Sequence, residues 1–317
     1  MILSASRRTD IPCFFSEWLL NRLREGAVMV RNPLNPRQVS RLALSPQWVD
    51  AIVFWSKDPT PLLGRLDEVD AMGYRYLFQF TLTPYGKGWE PGLRDKAELV
   101  HTFRALAQRL GPRRLVWRYD PIVVTDELTP AYHRREFAAL CQQLTGCTRE
   151  VVISFVDPYR KLKGRVPAVS PDDMASLAAY IGETAQQYGM SASACCEAMD
   201  LSAYGIKRSA CIDKRKLEAL CGAPLSLGPD KHQRPGCGCC ESVDIGAYDT
   251  CSNGCVYCYA NRSAGVISRN LALHDPASPL LVGRPGPEDR IRDRPVRSHM
   301  QVQTTLFPVQ EYEEEAP

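Results

Sequence analysis

The sequence predicts an α/β fold: a parallel (βα) barrel or partial barrel with a C-terminal cysteine-rich iron–sulfur loop. Three observations lead there. Short strand-like runs alternate with helical patterns through the first two thirds of the chain. Several of those runs are apolar at nearly every position, as in strands buried on both faces. Six of the 13 cysteines (Cys237, Cys239, Cys240, Cys251, Cys255 and Cys258) then fall within 22 residues near the C-terminus.

The expected strands are Ile2–Ala5, Val49–Trp55, Tyr74–Thr83, Arg114–Tyr119, Val151–Val156 and Ser191–Cys196, with Val28–Val30 as a further short one. Between them, Phe15, Trp18, Leu19 and Leu23 form one helical stripe, and Leu99, Phe103, Leu106 and Leu110 another. Thr129-Pro130 and Ser170-Pro171 place a capping hydroxyl before proline at the first helical position. Strands separated by helices imply βα units and a parallel sheet, and about six units over some 200 residues favour a barrel. Each strand runs into polar residues, among them Arg7-Arg8-Thr9-Asp10, Asp120, Asp157 and Glu197. In such folds sites form where the strands end, so a lined cavity is expected at that edge. The barrel is read as residues 1–235, a cysteine-rich metal-binding segment closing it as 236–274, and an extended or disordered tail as 275–317.

Composition excludes several classes. Of 317 residues 44% are apolar and 24% charged, which is ordinary for a globular chain. A net charge of +3 does not announce a nucleic-acid binder. No apolar run approaches a bilayer span, and the first ten residues carry no signal-peptide core, so no membrane and a cytoplasmic location are expected. A long chain with an odd, clustered set of cysteines favours bound metal over a disulfide scaffold. The five histidines show no paired spacing, and no G-x-G-x-x-G or Walker sequence occurs.

The chemistry concentrates in Cys251-Ser252-Asn253-Gly254-Cys255-Val256-Tyr257-Cys258, a C-x3-C-x2-C loop. Three thiolates on one compact loop can hold three irons of a four-iron, four-sulfur (4Fe–4S) cluster, leaving one iron open to a substrate. At these residues the sequence resembles the radical S-adenosylmethionine superfamily, with its aromatic before the last cysteine, here Tyr257. Gly254-Cys255-Val256-Tyr257-Cys258-Tyr259 is most similar to spore photoproduct lyase and its relatives. The whole chain also resembles domain of unknown function 1848, through Arg7–Pro12, Phe54-Trp55-Ser56-Lys57-Asp58-Pro59 and Ser242–Gly246.

The resemblance implies that Cys251, Cys255 and Cys258 ligate the cluster and that S-adenosylmethionine binds its open iron. It implies cleavage to a 5′-deoxyadenosyl radical, with Tyr257 beside the adenine and electrons from a flavodoxin or ferredoxin. In most of the superfamily this motif follows the first strand, whereas here it follows the last. A circular permutation reconciles the two, with Asp244–Tyr248 as the entering strand beside the N-terminal one. Arg8 and Asp10 then become candidate cofactor contacts.

A zinc site competes, because Cys237-x2-Cys240 and Cys255-x2-Cys258 form a CxxC…CxxC pattern with 14 residues between the pairs. It leaves Cys239 and Cys251 idle and does not account for Tyr257. Cys196, Cys211, Cys237 and Cys239 are candidates for a second site, an auxiliary 4Fe–4S cluster or zinc, against the plainer role of small buried hydrophobes. Asp120 and Glu197 are candidate acid–base catalysts, and pairing of such carboxylates with Arg118, Lys57 or Arg7 is the competing expectation. Finally, Gln303-Thr304-Thr305-Leu306-Phe307 resembles peptides that dock onto the replicative sliding clamp. The chain is therefore expected to be a radical S-adenosylmethionine enzyme of unknown substrate, with DNA-lesion or nucleotide chemistry in view. The alternative is a zinc-stabilised, DNA-associated binding protein recruited by its tail.

Overall fold

The computed structural model describes residues 1–157, 159–162, 164–231, 233–234 and 236–301. His232 and the Gln303–Phe307 peptide lie outside them. The chain runs β1 (Ile2–Ala5), α1 (Ile11–Phe14), α2 (Ser16–Glu25), β2 (Ala27–Asn32), β3 (Asn35–Ala43), β4 (Ala51–Ser56), α3 (Thr60–Leu63) and α4 (Leu66–Ala71). It continues with β5 (Tyr76–Thr81), α5 (Lys96–Leu110), β6 (Leu115–Ile122), α6 (Pro130–Leu144), β7 (Glu150–Phe155), α7 (Pro171–Gln187) and β8 (Ser191–Cys195). The last part holds β9 (Lys207–Ser209), α8 (Lys214–Cys221), β10 (Val243–Asp244), α9 (Ala264–Ala272) and β11 (Arg290–Asp293).

Eight strands form one parallel sheet in the order β10-β1-β4-β5-β6-β7-β8-β9. From β1 to β9 the chain adds strands in one direction, and β10 then returns to the free edge of β1. That winding is consistent with a partial barrel or with a Rossmann-like open sheet. The strand entering the cysteine loop does lie beside the N-terminal strand, with Leu3 opposite Val243 and Ser4 opposite Asp244. It is Val243–Asp244 rather than Asp244–Tyr248.

Alternate strand residues serve opposite faces. Leu3, Ile52, Phe54, Phe78, Phe80 and Trp117 pack with α2, α5, α6 and α7 in the main core. Ile2, Ala51, Val53 and Leu77 point the other way, onto Leu217 and Cys221 of α8 and onto Ile212, Cys239 and Cys240. Both faces are therefore covered, which is why these strands read as unbroken apolar runs. Thr129 and Ser170 cap their helices as expected, accepting from Tyr132 N and Asp173 N at 3.1 Å each. His133 is a core residue, bonded to Tyr119 Oη and Val123 O at 2.8 Å.

The segment read as a tail from 275 is instead docked on the body over its first part. Trp18 Nε1 donates to Ser278 O at 2.9 Å, Asn21 Nδ2 to Pro276 O at 3.1 Å, and Met29 N to Pro279 O at 2.9 Å. β11 then joins β3 in parallel, making a three-stranded sheet with β2. Among the described residues no helix is long and apolar enough to cross a membrane.

Candidate functional site

The cysteine loop is delivered to the C-terminal edge of the sheet by one carboxylate. Asp244, at the end of β10, accepts from Ser4 Oγ (3.0 Å), Ser6 Oγ (2.5 Å), Arg7 N (2.8 Å) and Gly246 N (3.0 Å). The loops leaving β1 and β10 therefore run in contact, and a Cβ on Gly246 would fall inside the Ser6 hydroxyl.

The loop itself is braced on several sides. Asp249, at φ +59°, accepts through its carboxylate from the Arg262 side chain at 2.8 Å, and its N–H donates to Ala260 O at 3.1 Å. Asn261 Nδ2 donates to Cys251 O at 2.8 Å. The segment after β5 presses from another side: Gly92 N donates to Asn253 O and Val256 N to Trp89 O, both at 3.0 Å. A Cβ on Gly92 would stand 2.5 Å from Ser252 O and 2.8 Å from Asn253 Cα, so only glycine permits that approach.

Two buried acids fasten the loop to the strand ends. Asp10, 6% exposed, accepts from Cys13 N (3.1 Å), Lys57 N (2.8 Å) and Asn253 Nδ2 (3.4 Å). Burial pushes its carboxyl up to about 6 despite those bonds. Glu90, 1% exposed, accepts from Lys57 Nζ at 2.7 Å, Thr83 Oγ1 at 2.9 Å, Lys96 Nζ and Tyr257 Oη. Against the cost of burial, Lys57 and Lys96 hold it down to about 2. The Lys57 ammonium also stands 5.4 Å from the centre of the Tyr257 ring.

Cys251, Cys255 and Cys258 sit partly buried on this braced loop. Burial raises the Cys251 thiol strongly and takes Cys255 up to about 12, and Lys57 opposes the rise at Cys255. Burial favours the protonated thiol, whereas a neighbouring lysine favours the thiolate that a metal would take. Asn253 Oδ1, Thr9 Oγ1 and Asn261 Oδ1 are buried without a hydrogen-bond partner. Three thiols carried on one braced loop are donors of the type that an iron–sulfur cluster takes as thiolates. Among the described residues no three His, Cys, Asp or Glu side chains surround a single ion position.

Of the other expected site residues, Arg8 stacks 5.4 Å from the centre of the Tyr248 ring and donates to Gly246 O at 3.3 Å. Tyr257 is 6% exposed, with its ring against Tyr85 and its hydroxyl on Glu90. Asp120 accepts from Arg118 Nε at 3.0 Å and from Ser154 Oγ. Glu197 accepts from Phe155 N at 2.9 Å, and burial, joined by the charges of Asp157 and Asp120, pushes it up to about 7. Asp157 is tied to Arg234.

The second cysteine group assembles around a different member from the one expected. Cys195, not Cys196, meets Cys211, with the two sulfurs 2.7 Å apart. Arg118 Nη1 donates to Cys211 Sγ at 3.2 Å, and Ile212 N donates to Cys239 Sγ at 3.4 Å. Donation from Cys195 and Cys239, then the Arg118 guanidinium, holds the Cys211 thiol well below its ordinary value. Cys196, at φ +61°, lies beside Cys237 and Arg234 instead. The sequence reading missed Glu90 and Asp244 as organising residues, and it named Lys57 only as a counter-charge for the other strand-end carboxylates. Glu90 stands in an ordinary Gly-Trp-Glu-Pro-Gly loop, which carries no motif.

Fold and site together define an α/β protein with a parallel sheet and a thiol-bearing loop fixed at the edge where its strands end. The chain belongs to the family described as Domain of unknown function (DUF1848), which matches residues 2–260. No curated protein matches it. A solved structure from Bacteroides thetaiotaomicron VPI-5482, assigned as an alpha-L-fucosidase, aligns over 62% of this chain and 77% of its own. The identity is 13% and the TM-score 0.26, a likeness too slight to bear on function.

Proposed function

We propose that this chain is a radical S-adenosylmethionine enzyme whose Cys251, Cys255 and Cys258 hold a 4Fe–4S cluster. The observation that carries the reading is the placement of these thiols on one loop braced at the strand-end edge by Asp10, Glu90 and Gly92. When bound, the cluster and S-adenosylmethionine supply reductive cleavage of the sulfonium to methionine and a 5′-deoxyadenosyl radical.

This chain's own residues do the rest. Lys57 places a cation beside Cys255, offsetting the negative charge of ligating thiolates, and Glu90 fixes Lys57, Lys96 and Tyr257 in one cluster. Asp10 joins the ends of β1 and β4 to Asn253 of the loop. Arg8, which donates to Gly246 O and faces Asp244, is the contact proposed for the carboxylate of S-adenosylmethionine. Glu197, whose carboxyl sits near neutrality, can hold or release a proton at the same edge. The electrons come from a flavodoxin- or ferredoxin-type donor, and the substrate class in view is a nucleotide or a DNA lesion.

The test is metal and acid-labile sulfide content after anaerobic reconstitution, followed by electron paramagnetic resonance and assay for deoxyadenosine. About four irons with matching sulfide, and deoxyadenosine formed from S-adenosylmethionine plus reductant, support the proposal. Stoichiometric zinc without sulfide or deoxyadenosine overturns it in favour of the zinc-stabilised binding protein.

A further inference from the structure

The inner face of the sheet carries thiols that the proposed reaction does not use. β8 and β9 pair in parallel with Cys195 opposite Ser209. Continuing that alternation places Cys211, two residues on, on the same side as Cys195. The side chains meet there, with Sγ–Sγ at 2.7 Å. The contact is held from three directions. Arg118 Nη1 donates to Cys211 Sγ, Gln79 Nε2 donates to Cys211 O at 2.9 Å, and Cys240 N donates to Ile212 O at 3.0 Å.

Distance decides between the two things paired thiols do. Two sulfurs on one tetrahedral zinc, with bonds of about 2.3 Å, stand about 3.8 Å apart. The observed separation is more than 1 Å short of that. A disulfide of about 2.05 Å is reached by an approach of only about 0.7 Å, a side-chain adjustment.

We propose that Cys195 and Cys211 are a redox-active dithiol that closes reversibly to a disulfide on the inner face of the sheet, by exchange with a low-molecular-weight disulfide. Cys211 attacks one sulfur of the small disulfide and releases one thiolate, giving a mixed disulfide on Cys211. Cys195 then gives up its proton and attacks the Cys211 sulfur, forming the Cys195–Cys211 bond and releasing the second thiol. Overall, two protein thiols and one small disulfide become one protein disulfide and two small thiols. Closure staples the end of β8 to the segment after β9 and alters the sulfur acceptor of Arg118. None of the loop cysteines takes part, so this inference stands or falls apart from the cluster reading.

The experiment uses the full chain, reduced and freed of reductant under anaerobic conditions, treated with oxidised glutathione, then alkylated and digested. Mass spectrometry is expected to find the peptide carrying Cys211 joined to the one carrying Cys195, two hydrogens lighter, and separated by dithiothreitol. Cys196→Ser is expected to retain the cross-link and Cys195→Ser to lose it. Thiol titration of the unmutated chain gives a measure independent of any variant's folding: closure consumes two thiols and retains no glutathione. Three results overturn the proposal: glutathione persisting on Cys211 without a cross-link, a cross-link that follows Cys196 or Cys239 rather than Cys195, or a bound metal that shields both thiols and departs in Cys195→Ser.

Discussion

Lys57 Nζ donates to Glu90 Oε1 at 2.7 Å, joining the end of β4 to the segment after β5 beside the cysteine loop. Both groups are largely buried, with side-chain exposures of 15% and 0%. Their charges therefore stabilise only as a set, together with Lys96 and Tyr257.

Glu90→Gln leaves two partly buried lysines without a counter-charge and is expected to cost about 3 kcal/mol of folding stability. Denaturant unfolding at neutral pH checks this, and a loss under about 1 kcal/mol refutes it. The pH dependence has a definite sign. Glu90 is held down to about 2 from an ordinary 4.5, so its contribution is present above 4.5 and is lost as pH falls towards 2. Acid sensitivity across that window is expected to be weaker in Glu90→Gln than in the unmutated chain.

Glu197 behaves in the opposite sense. Its carboxyl rises from 4.5 to about 7, so the folded state favours the proton, and that stabilising contribution is lost as pH rises through 7. Glu197→Gln is therefore expected to gain stability relative to the unmutated chain at pH 8 compared with pH 4. Thermal unfolding of both proteins at the two pH values measures it. A carboxyl infrared band titrating near 4 would show that the burial does not act as described.

Gly92→Ala forces a methyl against the backbone of Ser252 and Asn253, which cannot swing aside as a long side chain would. The expected cost is about 1–3 kcal/mol, together with lower iron retention after reconstitution. Alanine at Gly86, where a Cβ meets nothing within 4 Å, is the control and is expected to leave both unchanged.

Asp244→Asn keeps the shape of the side chain but gives it one acceptor oxygen in place of two. The carboxylate takes four hydrogen bonds, and its main-chain donors Arg7 N and Gly246 N sit on different oxygens, so the amide nitrogen leaves one of them without an acceptor. The expected loss is about 1–3 kcal/mol. Hydrogen exchange at Arg7 or at Gly246, whichever loses its acceptor, is expected to accelerate more than at β7. Equal acceleration at all three would mean a global effect instead of a local one.

Much of this architecture was legible because burial writes itself into sequence. β1 falls on Ile2–Ala5 as expected, and β4 to β8 fall within a few residues of their apolar runs. The β2–β3 hairpin was largely missed, because Asn35–Ala43 lies on the surface, with only Val39 and Leu42 buried. β11, Arg-Ile-Arg-Asp, is exposed at every position and joins β3 through its backbone, which leaves no hydrophobic period to read. The C-x3-C-x2-C loop announced itself through spacing, whereas Asp244 and Glu90 did not. Their importance lies in partners as far as 240 and 167 residues away, which no local pattern records. Cys195 and Cys196 are neighbours with different surroundings, so composition alone could not choose between them.

The edge position of β10 also sets an order of events during biosynthesis. β1 emerges from the ribosome first, yet Ser4 meets Asp244 only after another 240 residues. At about 5–20 residues per second, that interval lasts roughly 10–50 seconds, during which one side of β1 lacks its parallel neighbour. The cysteine loop follows β10 directly, so its thiols reach their place only after all the other strands of that sheet exist. On the proposed function, metal loading is thereby deferred until late in synthesis, and a nascent chain stalled before Val243 carries an unguarded strand edge open to mispairing.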